Sequence, residues 1–157
     1  MDKIELAEKL GAALKQKKWM MATAESCTGG GVAQAVTEIP GSSEWFDCGF
    51  VTYSNAAKTE LLAIPEALIA QHGAVSEEIA AAMSEAAVSN SNADVAVSTT
   101  GIAGPGGAVP GKPVGTVCFG WTVAGKTHTE RKVFQGDRQA VREQSVLHAL
   151  QGLLKQI

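Results

Sequence analysis

The stretch "ADVAVSTT", Ala93 to Thr100, consists almost wholly of small and β-branched residues. β-branched residues favour strands, and a strand apolar on both faces has to be covered on both. A chain built around such a strand must therefore place helices above and below one sheet. The remaining sequence supplies them. Leu6, Leu10, Ala13 and Leu14 form one stripe of a helix expected over about residues 3–17. "WMMATA" reads as a short buried strand, "GGVAQAVTEI" as a helix ended by "PGSS", and "DCGFVTYS" as a second strand. Asn55 is expected to cap a helix from Ala56 to about Leu62, and Pro65 to open another.

Ser76, followed by Glu77 and Glu78, marks the start of a helix reaching about Ser89. After "ADVAVSTT" comes "GIAGPGGAVPGKP", too rich in glycine and proline for regular structure. "VGTVCFGWTV", "AGKT" and "HTERKVF" then predict a β-hairpin. Asp137 caps a last helix lined on one side by Val146, Leu147, Leu150, Leu153, Leu154 and Ile157. Helices interleaved with strands and one late hairpin predict an α/β fold, a three-layer α/β/α sandwich on a mixed sheet. A length of 157 residues with 45% apolar content predicts one domain spanning 1–157.

A net charge of −3 argues against a general nucleic-acid binder. The one basic cluster, Lys15 to Lys18, falls where cations complement a helix C-terminus. Three cysteines without a CxxC pair suit a reducing compartment, and the mixed amino-terminal segment does not read as a signal peptide. No run approaches the ~20 apolar residues of a membrane span. The expectation is a cytoplasmic domain without metal or cofactor. The three histidines lack metal-ligand spacing, and none sits in a strand-end loop of the kind a Ser-His-Asp triad uses.

Chemistry concentrates at "AESCTGGG", Ala24 to Gly31. A strand ends near Ala24 and a helix is expected to begin near Thr28 or Gly29. Ser26 then sits in a strand-to-helix turn beside unpaired N–H groups, where glycines admit a substrate close to the backbone. Such a turn can hold a phosphate or an oxyanion, or Ser26 and Thr28 can simply cap the helix. Cys27 is the rival nucleophile, although an unpaired thiol there is more often a small core residue. Lys58 falls in the first turn of its helix. Turned inward beneath apolar neighbours, it would lose its proton and serve as a base; in water it would be an ordinary surface lysine. The loop from Thr100 to Pro113 leaves the carboxyl edge of the sheet, where ligands bind in open α/β folds. Its G-x-x-x-x-G-K match, Gly106 to Lys112, continues into Pro113 and a strand, so it is no nucleotide P-loop.

Taken together, "TAESCTGGG", "PGSSEWFDCGFVTYSNAAK", "HGAVSEE", "TTGIAGPGG", "KPVGTVCFGW" and "FQGDR" resemble the CinA carboxy-terminal domain family over about residues 5–155. Stand-alone members of that family are nicotinamide mononucleotide amidohydrolases using a serine/lysine dyad without metal. The resemblance implies Ser26 as nucleophile and Lys58 as base, supported by Ser43, Tyr53, Thr100 and Gly101. Thr100 stands where some relatives have serine, and the hydroxyl is kept. Backbone groups of Cys27, Thr28 and Gly29 are expected at the oxyanion, with Gly101, Ile102, Ala103, Gly104 and Arg138 gripping the phosphoribosyl part. A homodimer is implied only by the family. Two other readings stand beside this one: a non-catalytic regulatory or interaction domain tied to competence and DNA damage, and an amidase for a different small amide.

Overall fold

Residues 1–157 are described by a computed structural model. The chain runs α1 (Lys3–Lys17), β1 (Met21–Glu25), α2 (Gly31–Thr37), a 3-10 turn (Ser42–Glu44), β2 (Phe46–Val51), α3 (Asn55–Leu62), α4 (Glu66–His72), α5 (Glu77–Ser89), β3 (Val95–Gly101), β4 (Thr116–Val123), β5 (Lys126–Val133) and α6 (Arg138–Gln156). The sheet order is β2-β1-β3-β4-β5, which puts the β-branched strand in the middle. β2, β1 and β3 are mutually parallel, while β4 and β5 return antiparallel. Ala124 and Gly125 join that hairpin with φ of 51° and 82°, the left-handed pair of a two-residue turn.

Helices α1, α2 and α6 cover one face of the sheet; α3, α4 and α5 cover the other. Two cores result, one on each face. Side chains alternate along a strand, so Met21 of β1 enters the α1/α6 core, whereas Ala22 and Ala24 enter the α5 core. On β3, Val95 and Val97 join the first core and Ala96 the second. The same alternation decides where the next residues point. Ser26 continues the Ala22–Ala24 side, and Cys27 joins the α1/α6 core.

Local signals set most helix ends. Asp2, Ser76 and Asp137 each accept a backbone N–H three residues on, from Glu5, Ile79 and Ala140. At α3 the cap is Ser54, whose hydroxyl accepts the Ala57 N–H at 3.0 Å, so Asn55 is the first helical residue and not the cap. The two neighbours are equally good caps; the extended backbone falls on Ser54. Helix α2 starts later than expected, at Gly31. Residues 26–31 first make two tight turns, Gly29 N–H to Ser26 O and Gly31 N–H to Thr28 O, both 3.0 Å. On α6 the buried stripe is Val141, Ser145, Val146, Ala149, Leu150 and Leu153, with Leu147, Leu154 and Ile157 only half-buried at its flanks. No helix is long and apolar enough to cross a membrane.

Trp121 fixes the distance between α6 and β4. Its indole N–H donates to Ala149 O at 3.0 Å, and its ring lies where a side chain on Gly152 would stand, 2.2 Å from an added Cβ. Gly152→Ala gains helix propensity of about 1 kcal/mol. Overpacking against an anchored buried ring costs about 1–3 kcal/mol. The clash should win, lowering the thermal midpoint of unfolding; an unchanged or higher midpoint would show that the ring can yield.

Candidate active site

The parallel strands end in register at the carboxyl edge, and the chain turns there. Ser26 N–H donates to Thr99 O at 2.9 Å and Thr52 N–H to Glu25 O at 2.9 Å, so the residues just past β1, β2 and β3 are tied together. Ser26 Oγ faces the α3 side. There Lys58 Nζ lies 3.1 Å from it, 2.9 Å from Thr52 O and 3.3 Å from Tyr53 O. Lys58 is 1% exposed, and no carboxylate pairs with it. Burying an unpaired ammonium costs several kcal/mol, so burial holds Lys58 below its ordinary value of 10.5. The Cys27 thiol opposes this weakly.

A neutral amine has two N–H bonds and one lone pair. Lys58 Nζ donates within reach of Ser26 Oγ, Thr52 O and Tyr53 O, and Ser26 Oγ in turn lies 3.3 Å from Tyr53 O. A neutral amine that keeps its two carbonyl bonds would turn its lone pair to the Ser26 hydroxyl. The geometry is that of a serine beside a base. Cys27 is not equivalent. It is 5% exposed on the opposite face, and burial first, with Glu25 adding, pushes its thiol up to about 12. A protonated thiol at neutral pH is a poor nucleophile.

A cavity of about 180 Å³ opens over this pair, lined by Ser26, Cys27, Tyr53, Lys58, Thr100 and Arg138, among others. Gly101 and Ala103 also line it, as does Asn55, which sequence reading treated only as a cap. The Thr100 hydroxyl is committed, donating to Ala74 O at 2.7 Å. Arg138 donates from Nη1 to Gly104 O at 2.9 Å and from Nη2 to the Tyr53 phenol oxygen at 3.0 Å, bridging the glycine-rich loop to the end of β2. Tyr53 therefore offers its carbonyl to Lys58 and its phenol to Arg138. Ile102 is buried beside β4, with its N–H on Thr116 O at 2.8 Å, and does not line the cavity.

Ser43 is not brought here. It lies exposed in the 3-10 turn before β2, at the amino edge of the sheet. Five residues of parallel strand, at ~3.3 Å each, separate that edge from Ser26. Lys112 of the rejected phosphate-loop match spends its amine on His72 O at 3.1 Å. No histidine lines the cavity, and no group of His, Cys, Asp or Glu has a metal-ligand arrangement.

Two residues of the site were not read from sequence. Glu25, fully buried, accepts Thr28 Oγ1 at 2.7 Å and Val32 N–H at 2.8 Å on one oxygen, and Ala33 N–H at 3.0 Å on the other. It thus satisfies the start of α2, so those N–H groups are not free for a ligand. Its parity with Met21 and Thr23 was the available signal, because it sends Glu25 beneath α2. Arg142 donates to Cys27 O at 3.1 Å and Thr28 O at 3.4 Å. It stands four residues after Arg138, on the same face of α6.

The CinA C-terminal domain model matches residues 3–157. A nicotinamide-nucleotide amidohydrolase PncC from Pseudomonas putida is 52% identical over 150 residues, covering 96% of this chain and 94% of its own. The protein of that name from Escherichia coli K12 is 51% identical, covering 98% and 93%. Among solved structures, the competence damage-inducible protein A from Klebsiella pneumoniae superposes with a TM-score of 0.96 at 37% identity, covering 99% and 96%. End-to-end similarity of this kind in both sequence and backbone leaves one conclusion: the chain belongs to the CinA C-terminal domain family.

Proposed function

We propose that this protein hydrolyses the carboxamide of nicotinamide mononucleotide to nicotinic acid mononucleotide and ammonia, with Ser26 as nucleophile and Lys58 as general base. The observation that carries the chemistry is the 3.1 Å contact between Ser26 Oγ and a buried amine with no carboxylate partner. The substrate is suggested by the relatives from Pseudomonas putida and Escherichia coli, each named a nicotinamide-nucleotide amidohydrolase.

Neutral Lys58 takes the Ser26 proton as Oγ attacks the carboxamide carbon. The resulting oxyanion meets the N–H groups of Cys27 and Thr28, neither of which has a hydrogen-bond partner within the chain. One such donor is worth about 3 kcal/mol of barrier. Protonated Lys58 then delivers its proton to the departing nitrogen as the C–N bond breaks, giving ammonia and an ester on Ser26. Water, deprotonated by the same amine, cleaves that ester and releases the acid.

The cavity of about 180 Å³ accommodates a pyridine carboxamide rather than a whole nucleotide. The phosphoribosyl part would extend along the 101–107 loop past Arg138, so its binding energy can align the amide.

Ammonia release from nicotinamide mononucleotide tests this reading. Ser26→Ala and Lys58→Met should each lower kcat by at least about a hundredfold with the fold retained. Cys27→Ala should keep most turnover; loss in Cys27→Ala but not in Ser26→Ala would move the nucleophile by one residue. The pH dependence has a definite sign. The base works unprotonated, so kcat/KM should rise with pH, and its midpoint should fall below 10.5 because burial lowers the Lys58 value. Activity flat from acid to alkaline pH, or falling as pH rises through neutrality, would contradict a lysine base.

A further inference from the structure

Arg142 lies outside the catalytic cavity and touches none of its reacting groups, yet it is bonded to the two residues that follow the nucleophile. It reaches them from α6, across the sheet from Lys58, and forms no ion pair. Nε donates to Cys27 O and Nη2 to Thr28 O. A trans peptide points its carbonyl and N–H in opposite directions. With the Cys27 carbonyl drawn toward α6, the Thr28 N–H points away from Arg142. The next peptide supports that direction: its carbonyl, on Thr28, also faces Arg142, while its N–H, on Gly29, closes on Ser26 O at 3.0 Å.

Thr28 is held by its side chain as well. Its hydroxyl donates to Glu25, at 2.7 Å, and accepts from Thr99, also at 2.7 Å. Side chain and carbonyl are thus fixed from two directions, while the N–H has no partner. A cation on a peptide carbonyl also draws charge from that amide and strengthens the N–H as a donor.

We infer that Arg142 is a positioning residue for this reaction: its guanidinium orients and polarises the Cys27–Thr28 peptide so that the Thr28 N–H receives the oxyanion formed at Ser26. The inference rests on the reading of Ser26 as nucleophile. It is separate from the contacts of Arg138, which go to Gly104 and Tyr53 and not to this turn.

The guanidinium borders an open cleft of about 620 Å³ between α6, α2 and the start of α1. A small cation supplied in solution can therefore reach its place. Steady-state kinetics of Arg142→Lys and Arg142→Ala with nicotinamide mononucleotide are compared with Ser26→Ala, alongside thermal melts. Arg142→Lys, which cannot donate along two directions of one plane, should lower kcat roughly ten- to a hundredfold. KM should stay within about twofold, because the interaction matters only once the oxyanion forms. Tens of millimolar guanidinium ion should restore part of kcat in Arg142→Ala, and none in Ser26→Ala. Wild-type kcat in Arg142→Lys overturns the inference, as does a loss confined to KM. A lower melting midpoint in Arg142→Ala with no recovery by guanidinium also overturns it, since the role would then be structural. Full activity in Ser26→Ala would instead remove the proposed nucleophile itself, an outcome distinct from the other three.

Discussion

A primary amine enclosed beneath α3 with no carboxylate beside it is the constraint to which the rest of the site answers. An exposed lysine stays charged at neutral pH and is useless as a base. A buried lysine paired with a carboxylate also stays charged. Lys58 avoids both conditions: it is 1% exposed, and its polar neighbours are two backbone carbonyls and one hydroxyl. Those partners satisfy the amine without supplying negative charge, so burial lowers its value from the ordinary 10.5 with no carboxylate to raise it again.

Holding that arrangement falls to the strand ends. The alternation of β1 carries on past its end, so Ser26 turns its hydroxyl to Lys58 while Cys27, which also borders the cavity, packs into the α1/α6 core. Two potential nucleophiles are thereby separated by geometry before their acidities are compared. The acidities agree with the geometry, because burial that lowers the value of an amine raises that of a thiol. Behind the turn, Glu25 closes the start of α2 and Arg142 holds two carbonyls, while the Cys27 and Thr28 N–H groups next to Ser26 stay uncommitted. Arg138, four residues before Arg142 on α6, ties the glycine-rich loop and Tyr53 to the same helix.

Features governed by neighbours in sequence were legible in advance. The covered central strand, the hairpin, and the caps at Ser76 and Asp137 all follow from patterns a few residues long. Lys58 and Ser26 could be nominated, because each lies at the start of an element that leaves the carboxyl edge. What spacing did not carry was distance across the fold. The Arg142 contact with Cys27 joins residues 115 positions apart, and no local pattern encodes it. Ser43 shows the converse. It sits in a segment that resembles the family closely, yet that segment leads into the amino edge of β2 and not toward Ser26. At α3, two adjacent capping residues left the helix start ambiguous by one position, which moved Lys58 from the third helical residue to the fourth. Burial of its amine was unaffected, since that depends on which face α3 turns to the sheet.

The most direct test is to observe the Lys58 amine itself. Proteins labelled at lysine Cε and Nζ can be titrated by nuclear magnetic resonance, with the Lys58 signal assigned by its loss in Lys58→Met. The Lys58 midpoint should lie below the ordinary 10.5 of lysine, and the amine signal should shift when the Ser26 hydroxyl is removed. A midpoint at or above 10.5, indifferent to Ser26→Ala, would mean a charged lysine that takes no proton from serine.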